Sequence, residues 1–264
     1  MKNMLYIPAL LAAGTVLAAG DAITFPYPGD WNDNPLVSEA KDGALLFSGD
    51  HGMIASTRIF RIDPSRTYRL SGSFRQEGAA KVKMTLALRV YDRDRIEIKA
   101  DAVSPVPGTD TKLSADCCAA DKFVIVENGS AIRRGSLAFH TEPDFSDLPN
   151  RRLIPGIQTG TKLDDGKWRI EFRQPVGVNL PAGTAVRAHY GYLYQMTGGQ
   201  FNITENWTEH SGTVSGMAKS GRGGSQWRPG AAYAQVILVK EGKNAKVLFQ
   251  NIKWEEIPAP GTGK

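Results

Sequence analysis

The chain has 264 residues, 41% of them hydrophobic, enough to bury the core of one large domain or two small ones, which excludes disorder. Its 32 Lys and Arg stand against 27 Asp and Glu, a mild excess scattered through mixed-sign patches such as DRDRIEIK with no basic block. Nucleic acid is therefore not an expected partner, while weak attraction to acidic polysaccharide stays open.

Lys2 precedes an apolar run over residues 4–17, and the small residues LAAGDA follow, which is the pattern of a secretory signal peptide over 1–22. Leu17-Ala18-Ala19 would place cleavage before Gly20, and Gly20-Asp21-Ala22 before Ile23. No other segment approaches the roughly 20 apolar residues of a membrane helix. The expectation is a secreted protein, extracellular or periplasmic, with no membrane span.

Residues 25–36, FPYPGDWNDNPL, form an irregular lead-in with Trp31 and Tyr27 as its anchors. Short strands are expected over 44–48 and 57–62, separated by GDHG, and the turn Asp63-Pro64-Ser65 follows. Over 66–92 two long alternating runs flank a short polar turn. Tyr68, Leu70, Gly72 and Phe74 share one face of the first run, and Val82, Met84, Leu86, Leu88 and Val90 one face of the second. This predicts a β-hairpin whose apolar face needs a second sheet to cover it.

From Asp92 a turn and a short strand are expected, and SPVPGTDT then breaks the pattern. Between 112 and 190 the runs KFVIV, SLAF, KWRIEF and TAVRAHY are punctuated by NGS, DLPN, DDG and PAG. The long alternating style returns from Asn206, and the tail PAPGTGK is expected to be loose. Helical periodicity is nearly absent after the leader, so the fold class is all-β, most consistent with a sandwich.

The two cysteines, Cys117 and Cys118, are adjacent. They form a vicinal disulfide, lock a tight turn, or stay reduced; they cannot staple distant segments, and adjacency lacks the ligand spacing of a zinc site.

The order PSRTYRLSGSFR, KVKMTLALRVYDRDRIEI, NWTEHSGTVSG, WRPGAAYAQVILVKEG and KVLFQNIKWEE resembles the galactose-binding-like jelly rolls that serve as carbohydrate-binding modules in secreted bacterial proteins. The resemblance covers about residues 36–100 and 200–256 and implies a jelly-roll β-sandwich with a glycan or polysaccharide partner. About a hundred residues intervene before Trp207 where such modules have few, which reads as an inserted small β subdomain. The divisions are a leader over 1–22, sandwich over 23–100, insert over 101–200, sandwich again over 201–257, and a tail over 258–264. The insert itself is similar, over AADKFVIVENGSAIRRGSLAFH and WRIEFRQPVGVNLPAGTAVRAH, to a small β unit of extracellular and phage-tail-like chains. Where relatives carry aspartates in the final strand this chain has Gln250-Asn251, removing a frequent contributor to a structural calcium site. No cofactor is expected.

Sugar recognition needs flat aromatic faces bordered by hydrogen-bonding groups. Tyr190, Tyr192 and Tyr194 would share one face of a strand, either as a binding face or as filling between insert and sandwich. Trp227 and Arg228, in the loop SGRGGSQWRPG, are a second candidate; Trp207 reads as a packing residue at a strand start. Asp144, Asp147 and Asn150 could wrap a hard cation, but Asx-turns beside Pro143 and Pro149 explain the same residues. No G-x-S-x-G or H-E-x-x-H occurs, and His51, His140, His189 and His210 are scattered. The reading is a non-catalytic carbohydrate-binding protein, with a structural or adhesive protein-binding module as the alternative and a polysaccharide-degrading enzyme as a weaker one.

Overall fold

The computed structural model describes residues 22–78, 81–191, 194–221, 224–243 and 246–258, so most of the leader, the tail and Tyr192 lie outside the described residues. In chain order the first strands are β1 (Ala22–Thr24), β2 (Val37–Glu39), β3 (Leu45–Phe47), β4 (His51–Ala55), β5 (Phe60–Arg61), β6 (Thr67–Glu77) and β7 (Lys83–Tyr91). Next come β8 (Thr111–Lys112), β9 (Phe123–Val126), β10 (Ser136–Phe139), β11 (Leu153–Pro155), β12 (Ile157–Lys162), β13 (Trp168–Phe172) and β14 (Ala185–His189). The chain closes with β15 (Gln195–Asn202), β16 (Thr208–Ser215), β17 (Tyr233–Glu241) and β18 (Lys246–Ile257).

Two antiparallel sheets make the larger body. One runs β16-β6-β18-β3-β2 with β1 against β18, the other β15-β7-β17-β4 with β5 against β17. Successive strands repeatedly switch sheets, as in a jelly roll, and the inward rows interdigitate into one core. Aromatic rings dominate it: Trp254 stacks between Tyr68 (5.0 Å) and Phe60 (5.4 Å), and Trp31 meets Phe249 edge-on at 5.4 Å.

The hairpin expected over 66–92 does not form. β6 pairs with β16 and β18, and β7 with β15 and β17, so the two runs lie in opposite sheets. A hairpin would set both apolar rows side by side on one face. Crossing between sheets sets them face to face, which buries both without requiring a third surface. Other local expectations shift as well. The expected strand over 44–48 narrows to β3, β4 begins at the His51 of the supposed GDHG separator, and Tyr27 is 67% exposed while Phe25 and Trp31 anchor the lead-in in the core.

The segment between β7 and β15 builds two small sheets, β11-β10-β14-β8 and β12-β13-β9, around a core of their own that includes Leu113, Val124, Leu137, Ile170, Phe172 and Val186. Because Gln195 already pairs with Leu88 of β7, the chain is back in the sandwich ladder before residue 200.

Among the described residues no helix is long and apolar enough to cross a membrane.

Candidate functional site

The junction between the two bodies is made by three segments meeting closely. Tyr190 N–H donates to Ser104 C=O at 2.8 Å just after β14, and Pro105 bridges His189. A Cβ on Gly191 would lie 2.5 Å from Ser104 Oγ; one on Gly135, whose φ is +98°, would lie 2.1 Å from the His189 carbonyl oxygen. Glycine at both places is what lets the chain turn there, and it ends the strand at His189. Of the tyrosine stripe, Tyr190 and Tyr194 lie outside any strand, after the end of β14 and before the start of β15.

Two adjoining cavities, of about 580 and 550 Å³, share Tyr190, Gly191 and Tyr194 as lining. Tyr190 is 43% exposed, and the Arg134 guanidinium stands 4.1 Å from its ring centroid. The first cavity also has Ser104, Gln195, Met196 and Arg228 in its wall. The second has Arg89, Glu97, Lys99, Asp101 and Ser136. The junction thus combines a half-exposed ring with forked cationic donors, carboxylates and a hydroxyl, the mixture that polyhydroxylated ligands require.

Trp227 corrects the expectation of a stacking residue on the Gly-rich loop. It is fully buried, packed edge-on against Tyr68 (5.9 Å) and Trp254 (6.0 Å), and held by Trp227 N–H donating to Gly216 C=O. Trp207, read as packing, is instead 40% exposed with the Arg75 guanidinium 5.3 Å from its ring centroid. Arg228 lines the first cavity but is only 4% exposed, donating to Ile98 C=O at 2.8 Å. Burial pulls its pKa down to about 10 against the opposing pull of Glu97 and Asp101.

Ser136, His189 and Asp101 converge beside the second cavity, yet they do not assemble a nucleophile and base. His189 Nε2 accepts from Arg187 Nε at 3.2 Å, so Nδ1 carries the proton and donates to the Asp101 backbone oxygen at 2.6 Å. Ser136 Oγ lies toward the Asp101 carboxylate at 3.5 Å rather than the imidazole. A triad needs the hydroxyl on the free ring nitrogen, and both nitrogens are engaged.

The EPDFSDLPN loop wraps a guanidinium. Arg187 is fully buried, reaches both Asp147 oxygens at 3.1 and 3.0 Å, donates to Glu142 C=O, and lies 4.7 Å from the Phe145 ring centroid. Burial raises the Asp147 pKa, but Asn150, the Glu142 amide and Arg187 outweigh it and hold the carboxyl below its ordinary value. Asp144 closes an Asx-turn onto Ser146 N–H, and Asn150 donates to Phe139 C=O.

Cys117 and Cys118 are both free thiols, which corrects the vicinal-disulfide reading. Cys117 forms a bridge with Leu180 through reciprocal backbone bonds of 2.8 and 2.9 Å, so successive side chains point to opposite sides, one buried and one exposed. Burial, then Asp121, pushes the Cys117 thiol up to about 11.

Of the residues singled out from the sequence, Tyr190, Tyr194 and Arg228 line the junction cavities; Arg134, Gln195, Glu97 and Asp101, which the sequence did not single out, line them as well. Nothing in the local pattern ties residue 134 to residue 190; only the turn at Gly135 does.

No family model matches the chain, and no curated protein matches it. Among solved structures it is similar to a candidate sugar-binding protein from Bacteroides thetaiotaomicron, with 8% identity and a TM-score of 0.23 over 91% of this chain and 90% of that one.

Proposed function

We propose that this is an exported, non-catalytic carbohydrate-binding protein whose glycan occupies the junction cleft around Tyr190 and Tyr194. The observation that carries the reading is the half-exposed Tyr190 ring, with Arg134 against it, standing between two adjoining cavities walled by hydrogen-bonding side chains. Pyranose rings offer apolar C–H faces to aromatic surfaces and hydroxyls to guanidinium, carboxylate and amide groups, so a ligand of this class uses every kind of group the cleft presents. Gln195 and Arg228 are both buried in the wall, where their polar groups are shielded from solvent. The leader-like residues 1–22 support export, since a glycan-binding protein meets polysaccharide outside the cytoplasm.

A glycan array followed by affinity electrophoresis tests the reading. Tyr190→Ala should weaken binding of the retained glycan about tenfold or more, equivalent to about 1.4 kcal/mol, with circular dichroism and thermal midpoint unchanged. Retention of no glycan by the full chain, with a protein recovered in its place, would replace this reading with the adhesive one. Release of reducing ends would contradict the non-catalytic part.

A further inference from the structure

A third cavity, of about 720 Å³, shares no lining residue with the two at the junction. It lies where the turn after β5, the turn after β7, Met217, the start of β17 and the end of β18 come together. Its floor includes the buried Ile62, Tyr68 and Ala231, and Met217, 41% exposed, stands in its wall.

The charges around this floor are unevenly matched. Arg61, Arg66 and Arg93 line the cavity together with Asp63 and Glu256. Arg66 serves both carboxylates: its Nη1 donates to the two Glu256 oxygens at 2.9 and 2.7 Å, and its Nε lies 3.5 Å from Asp63. Asp63 also accepts from the Ser65 hydroxyl and N–H at 2.7 and 2.9 Å, bonds that hold its carboxyl below the ordinary value. The two carboxylates are therefore already engaged. Arg61 and Arg93 are exposed, and neither makes a side-chain hydrogen bond or ion pair with another described residue. Beside them the Arg95 guanidinium lies 5.0 Å from the centroid of the Tyr233 ring, and Tyr233 lines the same cavity.

Forked guanidinium donors match a carboxylate through two parallel hydrogen bonds, and two of them here have no acceptor among the described residues. A bare inorganic anion would use those donors but leave the apolar floor and a volume of this size unfilled, since cavities of about 300–1,000 Å³ suit ligands of several rings or fewer rather than single ions. We propose that this cavity is a second ligand site, taking a sugar unit that carries a carboxylate, as a uronic acid does. The carboxylate meets Arg61 and Arg93, and the ring lies over Met217 and Tyr233. The site extends the carbohydrate-binding reading to a second place, and its readout does not pass through Tyr190.

Titration calorimetry on the full chain, with a trigalacturonate and its methyl ester as probes, tests the assignment. The acid should bind about tenfold or more tightly than the ester, and added salt should weaken only the acid. The double substitution Arg61→Gln with Arg93→Gln, both at exposed positions, should abolish that preference, and Tyr190→Ala should leave it intact. Four results would overturn the site: equal binding of acid and ester, no binding of either, a preference that survives the double substitution, or one that disappears in Tyr190→Ala. Competition by inorganic phosphate as effective as by free galacturonate would reduce the cavity to a plain anion site and overturn the sugar assignment. Neutral glycans still held through Tyr190 in any of these cases would leave the junction reading standing.

Discussion

Removing the Arg187 guanidinium would leave the Asp147 carboxylate, which is 7% exposed, without its counter-charge, and His189 Nε2 without its donor. Breaking a buried pair from one side costs about 3–5 kcal/mol, far more than an exposed pair. Arg187→Met should therefore lower the stability of the insert by that order, read by denaturant unfolding. A loss under 1 kcal/mol, the size expected of an exposed pair, would show that the network contributes little. His189 fixes the sign of a pH response in the same region. Burial, the first cause, and Arg187 lower its pKa, while the Asp101 carbonyl, Asp147 and Asp101 act in the opposite sense. A folded pKa below the unfolded value of about 6.5 means the unfolded chain takes up the proton first. The associated stability is complete above about pH 6.5 and declines as pH falls below it. The thermal midpoint should drop over that range, and His189→Gln should flatten the drop in part, since burial shifts His210 in the same direction.

Several strands were legible from the two-residue alternation of apolar side chains, which is a local property, although β15, with its alternating burial, was not. KFVIV, SLAF, KWRIEF and TAVRAHY all contain strands, β9, β10, β13 and β14. Pairing was not legible. Tyr68, Leu70 and Phe74 show that β6 has an inner face but not that its neighbours are β16 and β18, which lie far along the chain. Alternation over HYGYLY imitates a strand for a related reason, while β14 ends at His189 and Gly191 approaches Ser104 too closely to carry a Cβ. The first strand also bears on export. Ala22 pairs with Glu255 and Ile23 with Trp254, so cleavage before Ile23 would remove a ladder residue whereas cleavage before Gly20 leaves β1 whole. N-terminal sequencing of exported protein should begin Gly-Asp-Ala-Ile; a sequence beginning at Ile23, or an uncut chain in the cytoplasm, would count against this.

Two separate cores, one in the sandwich and one in the smaller body, are joined through the segments around Ala102, Ser104 and Tyr190. Opening free energies follow cooperative units rather than the chain as a whole. Ile170→Ala, which removes a fully buried side chain of the smaller core, should cost about 2–5 kcal/mol and speed amide exchange across residues 111–189 more than in β6, β7, β17 and β18. Equal acceleration in both bodies would mean that they unfold as one. The all-β class, the contrast between long alternating runs and the short runs between 112 and 190, and the candidacy of Tyr190, Tyr194 and Arg228 follow from alternation, turn chemistry and residue type, which are written in consecutive residues. The burial of Trp227, the exposure of Trp207, the capture of Asp147 by Arg187 and the meeting of Arg134 with Tyr190 were decided by packing. Each depends on segments distant in the chain competing for the same space, and no local pattern records which of them wins.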